Sequence, residues 1–319
     1  MHSEPEIVQP KQATLLEGAP VAAQIKQEVA LEIKLHWPEE EIRPALAAVR
    51  VGDDLASEIY VRNKIRACHE VGIRSEQHAL SAEIPEGSLL ELIAALNDRD
   101  DIDGILVQLP LPGHIDEARV IEAIDPAKDV DGFHPANVGK LSQCRAALVP
   151  CTPAGIMELL RRNGIQPGGL SACVIGRSQI VGRPMAQLLL QADATVTICH
   201  SRTRDLAAVT RQADMLVVAI GCAGLIRGEH IKPGATVVDV GMNKVTDPEM
   251  ARNLFGADLP QRLDTIARRG YTLVGDVNQR EAMLIAGRLT PVPGGVGLLT
   301  VAMLMSNTLN AAKLRRRLL

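Results

Sequence analysis

The run PALAAVRVG, residues 44–52, is apolar at nearly every position. A short apolar run of this kind predicts a strand, and GILVQLPL further on, apolar nearly throughout, predicts one covered on both faces. Before it, from Pro20 to His36, apolar residues recur at helical spacing and stop short of Pro38, which predicts a helix. After it come a helix containing YVRNK, a strand near EQHALSAEI, a helix at SLLELIAALND and a strand at GILVQLPL. That alternation of period is the sign of parallel βα units. A segment rich in glycine, proline and aspartate follows, DPAKDVDGFHPANVGKL, and such a segment lines a site or joins domains. From CTPAGIMELLRRNG the alternation restarts, with strands at SACVIG, TVTICH, MLVVAI and ATVVDVG and helices through VGRPMAQLLLQ and DLAAVTRQA. Beyond TPVPGGVG a last helix of roughly twenty residues is apolar on most sides, so it should pack inside protein, back against the first domain. The expected fold class is α/β in two domains, residues 1–150 completed by the C-terminal helix 296–319, and residues 151–295.

Composition adds little to this picture and excludes several classes. A chain of 319 residues, 46% of them hydrophobic, can bury a large core and exceeds the usual size of one domain. The net charge of −4 leaves no electrostatic footprint for nucleic acid. VGLLTVAMLM, the longest nearly apolar stretch, falls well short of a membrane span, so no membrane partner is expected. The start, MHSEPEIVQPKQ, is acidic where a secretory signal would be basic and then apolar; it reads as a loose tail. Six cysteines without any C-x-x-C pairing predict reduced, mostly buried thiols and a cytoplasmic protein. With eight scattered histidines, no metal site is expected.

The stretch VIGRSQIVGRP leaves a predicted strand and enters a helix. Glycines at such an elbow let the backbone approach a pyrophosphate, whose charge the helix N-terminus stabilises. Gly176, Ser178 and Gly182 form only a variant of the usual G-x-G-x-x-G pattern, and a glycine-rich turn without ligand would look the same. The next strand changes the balance. An acid closes it in NAD-selective folds, whereas CHSRTRD offers His200, Ser201, Arg202 and Thr203. With Arg177 in the elbow, this loop favours the 2′-phosphate of NADP.

Tyr60 and Lys64 stand four residues apart, hence on one helical face. Tyr-x-x-x-Lys is also the mark of short-chain dehydrogenases, but there the nucleotide elbow precedes the pair, and here it follows. Standing alone, a helical lysine is usually solvated, and Asp131 in DVDG would most often form a local turn.

Taken together, VGDDLASEIYVRNKIRAC, GILVQLPLP, DVDGFHPANVGKL, PCTPAGI, VIGRSQIVGRP, CHSRT, KPGATVVDVGMN, GDV and TPVPGGVG occur in one order along most of the chain. In that order they resemble the bifunctional methylenetetrahydrofolate dehydrogenase/cyclohydrolase family. The resemblance implies an N-terminal folate-binding catalytic domain and a Rossmann-like NADP-binding domain. It also implies oxidation of 5,10-methylenetetrahydrofolate with NADP, then hydrolysis of the methenyl product to 10-formyltetrahydrofolate, within one-carbon metabolism and purine biosynthesis. By resemblance Lys64 is the acid/base group, Gln108 its hydrogen-bond partner, Tyr60 a wall stacking on the folate, and Asp131 the carboxylate holding the pterin. Pro293, Gly294 and Gly295 would bring bare backbone against the substrate. Gly176, Arg177, Ser178, Gly182, Ser201 and Met242 fall at the cofactor, and the family forms homodimers. A lysine serves as a base near neutral pH only where burial and a neighbouring positive charge favour its neutral form, and a methenyl cation supplies such a charge.

Some positions depart from the family pattern. Ala223 replaces a proline near the nicotinamide end, Asn278 follows GDV where an aspartate is usual, Leu298 replaces a proline, and Met242 replaces an isoleucine. The stretch from Asp247 to Tyr271 carries no assignment. Two other readings stay open: a monofunctional dehydrogenase of the same family, and a folate-binding paralogue without turnover.

Overall fold

The structure, a computed structural model, describes residues 12–318; the expectation of a loose tail at the N-terminus therefore lies almost wholly outside the described residues. The chain opens with β1 (Thr14–Leu15) and α1 (Gly18–His36), followed by β2 (Ala45–Val51), α2 (Leu55–Val71), β3 (Arg74–Leu80), α3 (Glu86–Asn97) and β4 (Gly104–Val107). Then come α4 (Glu117–Ala123), α5 (Pro135–Ser142) and α6 (Cys151–Arg162). The remainder is β5 (Ser171–Ile175), α7 (Gly182–Gln191), β6 (Thr195–Cys199), α8 (Leu206–Thr210), β7 (Met215–Val218), β8 (Thr236–Asp239), β9 (Asn243–Val245), α9 (Pro248–Leu254), α10 (Leu259–Arg269), β10 (Thr272–Val274), α11 (Gln279–Ile285), β11 (Arg288–Leu289) and α12 (Val296–Arg315).

These elements form two compact units. One gathers residues 18–166, 178–191 and the chain from Gly297 onward around a parallel three-stranded sheet of order β3-β2-β4. β2 is central, which explains its unbroken apolar sequence: Leu46, Ala47, Ala48 and Val49 have no exposed surface. Each larger side chain so buried contributes about 1.5–3 kcal/mol. β3, at the edge, is partly exposed and polar, and it starts earlier than EQHALSAEI suggests. α2 begins where Asp54 Oδ2 accepts from the Ser57 N–H at 2.7 Å, and it ends at Gly72 in the left-handed region, φ 84°.

The expected return of the last helix is observed. α12 lies in the three-stranded unit, where Leu299 packs so closely on Gly155 that a Cβ there would sit 2.7 Å from the leucine Cβ. At its C-terminal end Arg315 and Arg316 both pair with the fully buried Asp103. These charge-assisted bonds keep that carboxylate from being an orphaned charge.

The second unit holds residues 12–17, 167–177 and 192–296 around a six-stranded sheet of order β1-β11-β8-β7-β5-β6, with every neighbour parallel. β1 joins it through Thr14↔Arg288 and Leu15↔Leu289, a pairing no two-residue pattern could announce. Residues 247–271, left unassigned from sequence, are mostly helical. α9 and α10 close a small core of their own over the antiparallel β9–β10 pair, formed by Val245, Ala251, Leu254, Phe255, Ile266 and Val274. Cys68, Cys151, Cys173 and Cys199 are buried free thiols, while Cys144 and Cys222 are exposed.

Candidate active site

In the three-stranded unit, α2 and the end of β4 bring together the residues singled out from sequence. Lys64 Nζ donates to Gln108 Oε1 at 3.0 Å, and both side chains are half-buried. The amide cannot be turned the other way without loss, because Gln108 Nε2 donates to the Leu109 carbonyl at 2.7 Å. The oxygen is thereby committed to the lysine. Tyr60, one turn earlier on the same face, is 42% exposed.

Asp131 sits in the loop between α4 and α5. Burial pushes its carboxyl up from 3.8 to about 6; the Lys64 ammonium opposes that rise, and the Asp129 carboxylate adds to it. The residue as a whole keeps partial solvent access. The charge of Lys64 therefore acts on Asp131, although the two groups come from different segments.

The loop around Asp131 is held from several sides by residues that sequence reading did not single out. Asp129 Oδ1 accepts from the N–H groups of Gly132 and Phe133 at 3.1 and 3.2 Å, and Oδ2 accepts from the His134 N–H and Asn137 Nδ2, both at 2.8 Å. From α12, Asn307 Nδ2 donates to the carbonyls of Val130 and Val149 at 2.8 Å. An amide on so apolar a helix was the available signal. Gly132 adopts φ 75°, and a Cβ there would lie 2.5 Å from the Val149 carbonyl carbon, so only glycine lets the loop close.

The elbow between β5 and α7 has the form the glycines suggested. Gly176 adopts φ 122°, and a Cβ on it would lie 2.2 Å from the Ala219 oxygen. Ser178 Oγ accepts from the N–H groups of Val181 and Gly182 at 3.2 and 3.3 Å, capping the start of α7. Arg177 is exposed. A hollow of about 560 Å³ beside the elbow is lined by Leu109, Pro110, Glu117, Ile121, Ser178 and Ile180. After β6 the loop is ordered internally. His200 N–H donates to Thr203 Oγ1 at 2.9 Å and Arg202 N–H to His200 Nδ1 at 3.1 Å, with Ser201, Arg202 and Arg204 exposed. Bare backbone, a helix start and exposed guanidinium groups fit a phosphorylated dinucleotide.

Met242 is 41% exposed just beyond β8. Gly294 adopts φ 107°, and a Cβ on Gly295 would meet the Pro291 oxygen at 2.5 Å, so both glycines are required for the turn. Pro293 between them and β11 is exposed. Ala223 packs against the core of α9 and α10, where the neighbouring Gly224 would place a Cβ 2.1 Å from Leu254 Cδ2. Asn278 caps α11 by accepting from the Glu281 N–H at 3.2 Å, and its amide oxygen serves that cap as a carboxylate would. Leu298 is exposed in the first turn of α12, which forms without a proline there. Among the described residues no helix is long and apolar enough to cross a membrane, and no cluster of His, Cys, Asp and Glu is placed to hold a metal ion.

Known proteins resemble this chain along nearly its whole length. Residues 16–131 match the catalytic domain of tetrahydrofolate dehydrogenase/cyclohydrolase, and residues 150–316 match the NAD(P)-binding domain of the same family. The bifunctional protein FolD of Koribacter versatilis is 55% identical over 304 residues, covering 95% of this chain and 98% of that protein. Among solved structures, the bifunctional FolD of Campylobacter jejuni superposes with a TM-score of 0.85 at 43% identity, covering 95% of this chain and 99% of the other. The methylenetetrahydrofolate dehydrogenase-cyclohydrolase of Trypanosoma brucei, solved with NADP and an inhibitor, gives 0.85 at 40% identity, with coverage of 96% and 99%. The chain belongs to the tetrahydrofolate dehydrogenase/cyclohydrolase family.

Proposed function

We propose that this chain oxidises 5,10-methylenetetrahydrofolate to the 5,10-methenyl compound with NADP and hydrolyses that product to 10-formyltetrahydrofolate. The observation that carries the reading is the 3.0 Å bond from Lys64 Nζ to Gln108 Oε1 in electrostatic contact with Asp131. The Gln108 amide, a neutral acceptor, orients the amine. As general acid/base the amine takes a proton from the attacking water and passes it to the ring nitrogen that leaves as the C–N bond breaks. Asp131 accepts from the ring N–H and amino group of the pterin, and the exposed ring of Tyr60 stacks on the folate.

NADP supplies the hydride acceptor for the first step. Gly176, Ser178 and Gly182 would receive its pyrophosphate, Arg177 and Ser201 its 2′-phosphate, and Met242 would lie against the cofactor. Pro293, Gly294 and Gly295 would face the substrate. In this reading residues 1–150 with 296–319 form the folate domain and residues 151–295 the NADP domain. It extends to a cytoplasmic homodimer that feeds one-carbon units to purine biosynthesis. Retention of both Lys64 and Gln108 argues against a monofunctional dehydrogenase. The test is direct: the purified chain should form NADPH from methylenetetrahydrofolate and hydrolyse the methenyl compound without any nucleotide. Absence of reduction with both NADP and NAD would refute the dehydrogenase assignment.

A further inference from the structure

In the six-stranded unit, two buried aspartates interlock just beyond the carboxyl ends of β7 and β8. Asp239, the last residue of β8, accepts at Oδ1 from the N–H groups of Gly241 and Asp276, and at Oδ2 from the Val277 N–H, each at 2.9 Å. Asp276 in turn accepts at Oδ2 from the N–H groups of Ile220 and Gly221 at 2.7 and 3.0 Å. Its Oδ1 accepts from the Cys222 N–H and Asn243 Nδ2, both at 2.9 Å. Both carboxylates are buried, at 1% and 0% exposure. Glycine is obligatory on either side: a Cβ on Gly275 would lie 1.8 Å from Asp239 Oδ2, and one on Gly241 would lie 2.3 Å from Asp276 Cγ.

This arrangement does more than fill a core. Three consecutive N–H groups converge on one carboxylate, so the loop after β7 is folded as an anion nest around Asp276. A trans peptide sets its carbonyl opposite its N–H, so the carbonyls of Ala219, Ile220 and Gly221 are turned away from the carboxylate. The first of them lies against Gly176, where the elbow glycine leaves room for it. Open parallel sheets bind their ligands outside the carboxyl ends of the strands, and the loops after β7 and β8 lie at those ends. Asp276 reaches both, through residues 220–222 and through Asn243.

We propose that Asp276, held by Asp239, is a positioning residue for the dehydrogenase step: it fixes the backbone of residues 220–222 on which the nicotinamide half of the cofactor rests. The assignment rests on the functional reading above and adds to it a residue that touches neither substrate. Its consequence is selective, because the hydrolytic machinery of Lys64, Gln108 and Asp131 belongs to the other unit and needs no nucleotide.

The test is Asp276→Asn, which keeps the volume and turns an acceptor into a donor facing N–H groups. Loss of hydrogen bonds to a charge predicts a fall of about ten- to a hundredfold in kcat/KM for NADP-dependent oxidation. Hydrolysis of the methenyl compound, which needs no nucleotide, should stay within about twofold. Asn243→Ala, which removes a single donor, should lower the oxidation several-fold and leave hydrolysis alone, and it serves if the first variant folds poorly. Parallel loss of both activities, or unchanged oxidation in both variants, would overturn the assignment. An unsubstituted chain that does not reduce NADP would overturn the underlying functional reading instead, and that is seen before any variant is made.

Discussion

Replacing Asp131 by asparagine gives a prediction that can be worked through from the structure. In the folded chain burial raises this carboxyl from 3.8 to about 6 against the opposing pull of Lys64. A carboxyl raised on folding binds its proton more tightly in the native state than in the unfolded one. Between about pH 4 and pH 6 the native state therefore holds more protons, and stability falls as pH rises through that window. The contribution is fully present below the unfolded value and lost above the folded one. A rise of this size corresponds to about 3 kcal/mol in full, and to about 2 kcal/mol once the residue's partial solvent access is allowed for. Asparagine cannot ionise, so its stability relative to the aspartate protein should increase by about 2 kcal/mol between pH 4 and pH 7.

Urea unfolding at a series of pH values measures this difference, and the chain supplies its own probe. Trp37, the single tryptophan, is buried in the same unit as Asp131, so its fluorescence reports that unit's transition. Asp239, raised by burial to about 7, adds a slope of the same sign, but it is common to both proteins and cancels in the comparison. A stability difference that stays flat from pH 4 to pH 7 would refute the claim that Asp131 is ionised at a desolvation cost. The same variant should lose folate binding, since a neutral amide presents an N–H₂ group where the pterin needs an acceptor.

Arg177→Ala should weaken NADP by about ten- to a hundredfold and NAD by less than about threefold, measured by titration of each nucleotide; equal losses would remove the 2′-phosphate from that arginine. Gly176→Ala forces an alanine into φ 122° with its Cβ against the Ala219 oxygen, a backbone atom with little freedom to yield. Strain of about 1–3 kcal/mol from the dihedral alone, with the clash added, should reduce NADP-dependent oxidation at least tenfold. Nucleotide-free hydrolysis is the control and should persist.

How much of this was legible beforehand follows from what each segment packs against. β2 and β5 announced themselves because buried strands need unbroken apolar runs, and α2 because the helical run holding YVRNK falls in the βα alternation; its ends, at Asp54 and Gly72, came from the structure. α5 was hidden inside a segment read by its turn residues, although Pro135 at its first position and His134 capping the Ala136 N–H are start signals. α9 and α10 escaped because they bury a small core of their own and add nothing to the βα rhythm. The Lys64–Gln108 contact was reachable only through resemblance, since forty-odd residues of chain and two elements separate them, and no local spacing encodes that distance. The bracing of Asp131 by Asn307 and the interlock of Asp239 with Asp276 depend on contacts between distant segments, and single-sequence patterns do not carry them.

The central claim is that the amine on α2 performs the hydrolytic proton transfers. Lys64→Met keeps the length and the apolar stem while removing the nitrogen, so binding of a folate analogue should change by less than about threefold. Hydrolysis of methenyltetrahydrofolate, followed spectroscopically after subtraction of the uncatalysed rate, should fall at least a hundredfold, as expected on removing a general acid/base. A variant that binds folate normally and still hydrolyses at the rate of the unsubstituted protein would contradict the account.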